Sequence, residues 1–269
     1  LFPEGHPYHH STIGSMEDLN AASLETVQQW FKDYYGPNNA ILVLAGDIDA
    51  EAARPLVERY FGDIPAGPQT QRPTALIPVR EHDSAEFIFD EVPSALAARV
   101  WATPGLNDRV AAHLALATAV LGEGKNSRLY RELVYDRQVA SDATASLSPF
   151  VLAGIARIDV VLKPGMELAE ATEGMDRVLS EFLANGPTRE ELERVKTRIN
   201  AETVRGLERV GGFSGKAVTL AEGELYSGAP DFWKTRLEWI NSATPDDVLK
   251  AARQWMATGS HQVNILPRP

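Results

Sequence analysis

Histidines are the first side chains to test for chemistry. Two imidazoles four residues apart on a helix, with a carboxylate beside them, can grip a zinc ion and take a proton from its bound water. The nearest approach to that pattern in this sequence is His6-Pro7-Tyr8-His9-His10. Pro7 and the preceding Gly5 oppose a regular helix, and no glutamate stands between the histidines. The segment therefore reads as a surface loop. Cysteine is absent, which removes thiolate ligands, disulfides and a thiol nucleophile together. His82, His113 and His261 stand isolated along the chain, and His113 lies in an Ala-rich run where a packed or hydrogen-bonded histidine is expected.

Two glycine-rich stretches invite comparison with phosphate-binding loops. Gly122-Glu123-Gly124-Lys125-Asn126-Ser127 fails that comparison. A phosphate loop follows a strand and places Ser or Thr directly after its lysine, whereas this stretch follows a helical pattern and carries Asn126 there, with an acid among the would-be donors. It reads as a connection between helices. Gly211-Gly212-Phe213-Ser214-Gly215 reads as a kink or a close approach of backbone. No catalytic, cofactor-binding or metal-binding residue is assigned from these patterns.

The bulk numbers narrow the classes further. A chain of 269 residues with 44% hydrophobic and 23% charged side chains has room for one large or two medium domains. Its formal net charge of -11 opposes the phosphate neutralisation that nucleic-acid binding requires, so DNA and RNA are not expected partners. No apolar run approaches the roughly 20 residues that a membrane-spanning helix needs. The chain opens on Leu1-Phe2-Pro3, with neither an initiator Met nor a leader pattern, and so reads as a piece of a longer protein.

Periodicity supplies the elements. Ser23 caps a helical pattern through Leu24, Val27, Phe31 and Tyr34, residues 40–45 form a short branched apolar run that reads as a buried strand, and a second helix follows Asp49 and stops at Gly62. The Pro-, Gly- and Gln-rich residues 65–73 read as a linker and set a domain boundary near residue 72. Beyond it, strands are predicted over 85–89, 97–102, 140–146 and 155–162, with helices over 108–121, 127–135, 166–183 and from Thr188 onward. Thr188 and Glu191 have capping-box spacing. A last helix begins at Thr244-Pro245 and is followed by a strand over 262–266.

The closing segment repeats the opening one. A displacement of 221 residues places Val248 on Val27, Thr244 on Ser23, Asn241 on Asn20, Leu237 on Met16 and Ile240 on Leu19. The pattern predicts that both segments run helix to strand and that Val27 and Val248 are equivalently buried.

Gly5-His6-Pro7-Tyr8, Ile13-Gly14, Tyr35-x-Pro37-Asn38-Asn39 leading to Leu44-Ala45-Gly46-Asp47, and Tyr60-Phe61-Gly62-Asp63-Ile64-Pro65 resemble the later part of a catalytic domain of the pitrilysin/insulinase (M16) zinc metallopeptidase family. Ser127-Arg128-Leu129-Tyr130-x-x-Leu133 and the stretch from Gly211 to Ala217 resemble its companion domain. The resemblance implies an α+β fold of duplicated domains with mostly antiparallel sheet against helices. Residues 1–72 would be the end of a catalytic domain and 73–269 a noncatalytic domain. It also implies a zinc-dependent peptidase as the parent, with zinc in the parent and none expected in this chain, since the family's His-x-x-Glu-His pentad does not occur here. Many members place an Arg and a Tyr after an Arg-Leu-Tyr-like motif to hold substrate backbone; the matching positions here are Val134 and Ser141. Arg128, Arg131 and Arg137 nearby read as solvated helix charges.

The expected role is chamber wall and scaffold of a metalloendopeptidase. The alternative is a noncatalytic interaction subunit of a processing-peptidase-like or respiratory-core-like assembly. Expected partners are peptide substrate in the parent, its remaining M16 domains and further copies of this chain. The resemblance points to a periplasmic location.

Overall fold

The structure is a computed structural model that describes residues 1–213 and 215–268. Its chain divides into two compact units: Leu1–Pro3 with Leu76–Asn200 and Thr235–Pro269, and Glu4–Ala75 with Ala201–Lys234.

The first unit is built on five strands, β1 (Ser84–Asp90), β2 (Leu96–Thr103), β3 (Ala140–Pro149), β4 (Gly154–Leu162) and β5 (His261–Pro267). Their order in the sheet is β1-β5-β2-β4-β3, so the last strand of the chain is inserted between the first two. β1 runs parallel to β5, and the β5–β2, β2–β4 and β4–β3 pairings are antiparallel. This is the mostly antiparallel sheet of an α+β fold. Strand β4 shows the alternation that pleating imposes, burying Ala156, Ile158, Val160 and Leu162 while intervening residues face outward.

Helices α4 (Arg109–Gly122), α5 (Leu168–Asn185) and α9 (Pro245–Met256) pack on this sheet. Nearly every residue of α4 from Ala111 onward is buried, as a helix that is apolar on all sides must be. Its cap is local: Asp108 accepts the Val110 N–H at 2.8 Å. The core joins Trp101, Leu116, Ile158, Met175, Phe182 and Val248 in one cluster. Residues 127–135, expected as a regular helix, instead wind into a π-helical segment (Tyr130–Asp136), with the Arg137 N–H donating to the Glu132 carbonyl five residues back.

The second unit contains α1 (Met16–Ala21), α2 (Leu24–Tyr34), α3 (Ala50–Phe61) and α7 (Lys216–Ser227). Helices α6 (Arg189–Glu208) and α8 (Phe232–Ser242) each begin in one unit and end in the other. The Pro37-Asn38-Asn39 motif forms a short 3-10 turn that fixes the following linker. The Asn38 side chain donates to the carbonyls of Gly67 (2.9 Å) and Pro68 (3.1 Å) and accepts the Gly67 N–H at 2.8 Å. Gly36 is required there, since a Cβ would stand 2.5 Å from the Gly67 nitrogen.

One expected element does not form. Residues 40–45 are assigned to no helix or strand, among the described residues no strand pairs with them, and Leu42 and Leu44 are exposed. A strand is defined by its partners, and branched apolar composition alone does not supply them. The predicted repeat is accordingly met in its helices and not in its strands. The 221-residue displacement carries α1 onto the second half of α8, Leu237 to Ser242, and carries α2 onto the start and body of α9. Both helices use the same cap, with Ser23 accepting the Thr26 N–H and Thr244 the Asp247 N–H, each at 3.2 Å. Yet Val248 is fully buried while Val27 is 45% exposed, contrary to the expected equivalence.

Candidate functional site

The histidine loop that came nearest to a zinc site is a tight turn in the second unit. The His9 N–H donates to the His6 carbonyl at 2.9 Å, and the Tyr8 N–H donates to His6 Nδ1 at 3.0 Å. His6 is only 8% exposed, so the expectation of a surface loop holds for His9 and His10 and fails for His6. The His9 and His10 rings meet edge to face, 5.6 Å between centroids. A turn of this kind commits His6 Nδ1 as an acceptor of backbone N–H. Among the described residues, no three His, Asp or Glu side chains converge as a metal would need. The donor set therefore does not fit a catalytic zinc, which takes three protein ligands and one open position.

His113 and His261 have partners that their isolation in the sequence does not suggest. His113 is buried in α4, and burial holds its imidazole below the usual range, opposed by the nearby Asp247 carboxylate. His261, isolated in sequence, is not isolated in space. Arg80 donates to Ser84 Oγ at 2.6 Å, Ser84 Oγ lies 2.7 Å from His261 Nδ1, and His261 Nε2 lies 3.3 Å from Glu86. The chain of bonds runs from a cation to a carboxylate and laces β1 to β5 at the register pair Ser84 and His261.

Val134 lies in the π-helical segment, half-buried against the core. Ser141 sits where the β3–β4 register shifts, a β-bulge, and its hydroxyl donates to the Val161 carbonyl at 3.2 Å. Neither side chain carries a charge or a phenol that could hold a substrate backbone in place.

Arg128 departs from the expected solvated charge. Its Nε and Nη2 donate to the two Glu191 oxygens at 2.9 and 2.8 Å, a second bond runs from Nη2 to the Gly186 carbonyl at 2.9 Å, and the guanidinium lies 5.3 Å from the Phe182 ring centroid. Burial alone would raise the Glu191 carboxyl, but the Arg128 hydrogen bond and the Thr188 N–H, donated at 2.7 Å, bring it down to about 2. The Thr188 and Glu191 capping box is present as the spacing predicts. Arg131 is exposed, and Arg137 donates to the Glu170 carbonyl at 3.3 Å.

Close approach explains Gly122 and Gly215, the latter because a Cβ would fall 2.4 Å from the Gly211 carbonyl oxygen. A Cβ on Gly122 would fall 1.8 Å from the Ala145 nitrogen, so α4 and β3 touch backbone to backbone there, and Glu123 ion-pairs with Arg198. In the 211–217 stretch the chain folds back, with Lys216 and Ala217 N–H groups donating to the Arg209 and Val210 carbonyls; Ser214 lies outside the described residues.

Residues 21–199 match the family described as the peptidase M16 inactive domain. The chain belongs to that family. The zinc protease PqqE of Helicobacter pylori is 27% identical over 215 residues, covering 76% of this chain and 46% of that protein. A Mycobacterium leprae protein named as an uncharacterised zinc protease is 23% identical over 261 residues, covering 93% of this chain and 56% of its own length. The chain thus spans about half the length of these curated relatives. Among solved structures, a protease from Helicobacter pylori superposes with a TM-score of 0.83 at 20% identity, over 95% of this chain and 61% of that one. An M16 inactive domain from Pseudomonas fluorescens gives 0.81 at 20% identity, over 99% and 62%. A chain of complex III2 from Candida albicans gives 0.79 at 16% identity, over 95% and 62%. The periplasmic protease PqqL of Escherichia coli gives 0.62 at 16% identity, over 83% and 25%. These likenesses place the M16 fold.

Proposed function

We propose that this chain is the noncatalytic part of a zinc-dependent metalloendopeptidase, forming wall and scaffold of a peptide-enclosing chamber. The observation that carries this reading is the match of residues 21–199 to an M16 domain described as inactive. The naming of the curated relatives as zinc proteases supports a peptidase as the parent, and a zinc site outside this chain is part of the same proposal. On this reading residues 1–72 close a catalytic domain and 73–269 form the noncatalytic one. The partners are peptide substrate and the remaining M16 domains, and the location is periplasmic, as for the PqqL neighbour.

A second reading, a noncatalytic interaction subunit of a respiratory-core-like assembly, draws its support from the superposition on the complex III2 chain. Residues encoded upstream of Leu1 separate the two readings, because a peptidase parent must carry a His-x-x-Glu-His pentad there and an interaction subunit need not.

Chemistry on the isolated chain tests the first reading directly. The purified, dialysed chain is expected to hold no stoichiometric zinc by metal analysis and to leave a quenched-fluorescent peptide uncut, with or without added zinc. One tightly held zinc per chain with chelator-sensitive cleavage would overturn it.

A further inference from the structure

Strand β1 is an open edge of an unusual kind. Among the described residues no strand pairs with its outer side, and it is exposed along nearly its whole length. Natural edges are blunted with bulges, prolines or lysines. The opposite edge, β3, follows this rule with a bulge at its start and Pro149 at its end. β1 has none of these devices within its span and instead exposes Phe87 (59%) and Phe89 (55%) with Ile88 between them.

The parallel register decides which backbone groups face outward. Ser84 N–H donates to the Ser260 carbonyl and Arg268 N–H to the Asp90 carbonyl. In a parallel ladder alternate residues make both bonds to the neighbour, so Ser84, Glu86, Ile88 and Asp90 engage β5. Ala85 and Phe87 then turn both N–H and C=O to the open side, as does the Phe89 N–H, while the Phe89 carbonyl accepts from Arg268 Nε at 3.4 Å. Beyond Phe89 the edge leads into a groove of about 480 Å³, lined by Phe89, Pro93, Met166, Leu168 and Leu266, in which Lys163 and Glu167 offset one another.

We propose that this edge docks an extended, basic polypeptide segment with alternating apolar residues, which adds as a sixth strand and sets an apolar side chain in the groove beyond Phe89. Charge selects the occupant. Residues 81–91 carry Glu81, Asp83, Glu86, Asp90 and Glu91 with only His82 as a titratable base. Glu86 and Glu91 meet His261 and Arg268 at 3.3 and 3.7 Å, with the Leu1 ammonium near Glu86 and Arg80 on Ser84, and both carboxylates stay more than half exposed. A second copy would set the same carboxylates against these, on a chain of net charge -11, whereas lysine or arginine on an incoming strand would be attracted. The proposal concerns the first unit alone and stands whether or not the chain serves as a chamber wall.

A fluorescent peptide of alternating lysine and valine, titrated against the full chain by anisotropy, tests this. Binding is expected to weaken roughly tenfold or more when glutamate replaces lysine, or when alternate peptide nitrogens are methylated so that one edge loses its donors. The double variant F87S/F89S, which alters only exposed side chains, should weaken it as well. Amide exchange at Ala85, Phe87 and Phe89 should slow in the complex. Equal binding of the basic, acidic and methylated peptides, or unchanged exchange at those three amides, would overturn the proposal. Slow exchange there in the peptide-free chain would overturn it too, by giving the edge to a second copy.

Discussion

Glu191 serves two helix ends with one carboxylate. It accepts the Thr188 N–H at the start of α6 and both arms of Arg128, while Arg128 also binds the Gly186 carbonyl at the end of α5. An anion at a helix start and a cation at a helix end each complement the local backbone dipoles. Both side chains are mostly buried, so removing either leaves the other uncompensated. Glu191→Gln is expected to cost about 3 kcal/mol in urea denaturation. The pH dependence has a definite sign. The Glu191 carboxyl lies at about 2 in the fold against an ordinary 4.5, so its contribution is complete above about pH 4.5 and is lost as pH falls toward 2. Thermal melts across that window should show a loss of stability that is smaller in Glu191→Gln. Half of this arrangement was legible: Thr188 and Glu191 are three residues apart, and their capping box follows from spacing. The other half was not, because Arg128 and Glu191 are 63 residues apart and only the packing of the segment before the π-helical turn against the α5–α6 connection brings them together.

At the scale of elements the same division holds between local and distant causes. The caps at Ser23, Asp49, Asp108 and Thr244 are contacts within three residues, and the helices they start lie where the sequence places them. Helix α7 was missed because Gly211 to Gly215 draws the eye to a loop and Gly223 interrupts the helical pattern. Gly223 is there for packing, since a Cβ would stand 2.7 Å from the Ala229 and Pro230 carbonyl oxygens. In the candidate site, the burial of His6 and the bonding of His261 were likewise illegible, for each depends on neighbours that periodicity does not reveal. The contact of α4 with β3 gives a sharp test. Gly122→Ala would drive a methyl into the Ala145 backbone, and helix and strand must separate to admit it. A destabilisation of about 1–3 kcal/mol is expected in denaturant titration. Gly124→Ala, two residues on at positive φ with open space around it, is expected to act only through backbone strain. Comparing the two variants separates close packing from conformational strain.

The two segments that a 221-residue displacement pairs in the sequence have opposite surroundings in the structure. In the first unit, α9 buries Val248, Ala251, Ala252 and Met256, and the strand that follows it, β5, lies between two others. In the second unit, α1, α2 and α3 bury no residue, and the apolar run after α2 has no ladder partner among the described residues. Leu24, Trp30, Phe31, Leu42 and Leu44 are all exposed there, an apolar surface of the kind that marks an interface. Self-association is the expected consequence for the chain in isolation, because covering such surface stabilises by roughly 25 cal/mol per Å². Light scattering over a concentration series should give an average mass that rises above 29.4 kDa, with binding of a hydrophobic dye that falls as the mass rises. Trp30→Glu combined with Leu42→Lys should return the mass to that of one chain without loss of helical circular dichroism, since both side chains face solvent. A wild-type chain that remains a monomer at the highest concentration and binds no dye would mean that this apolar surface is covered within the single chain.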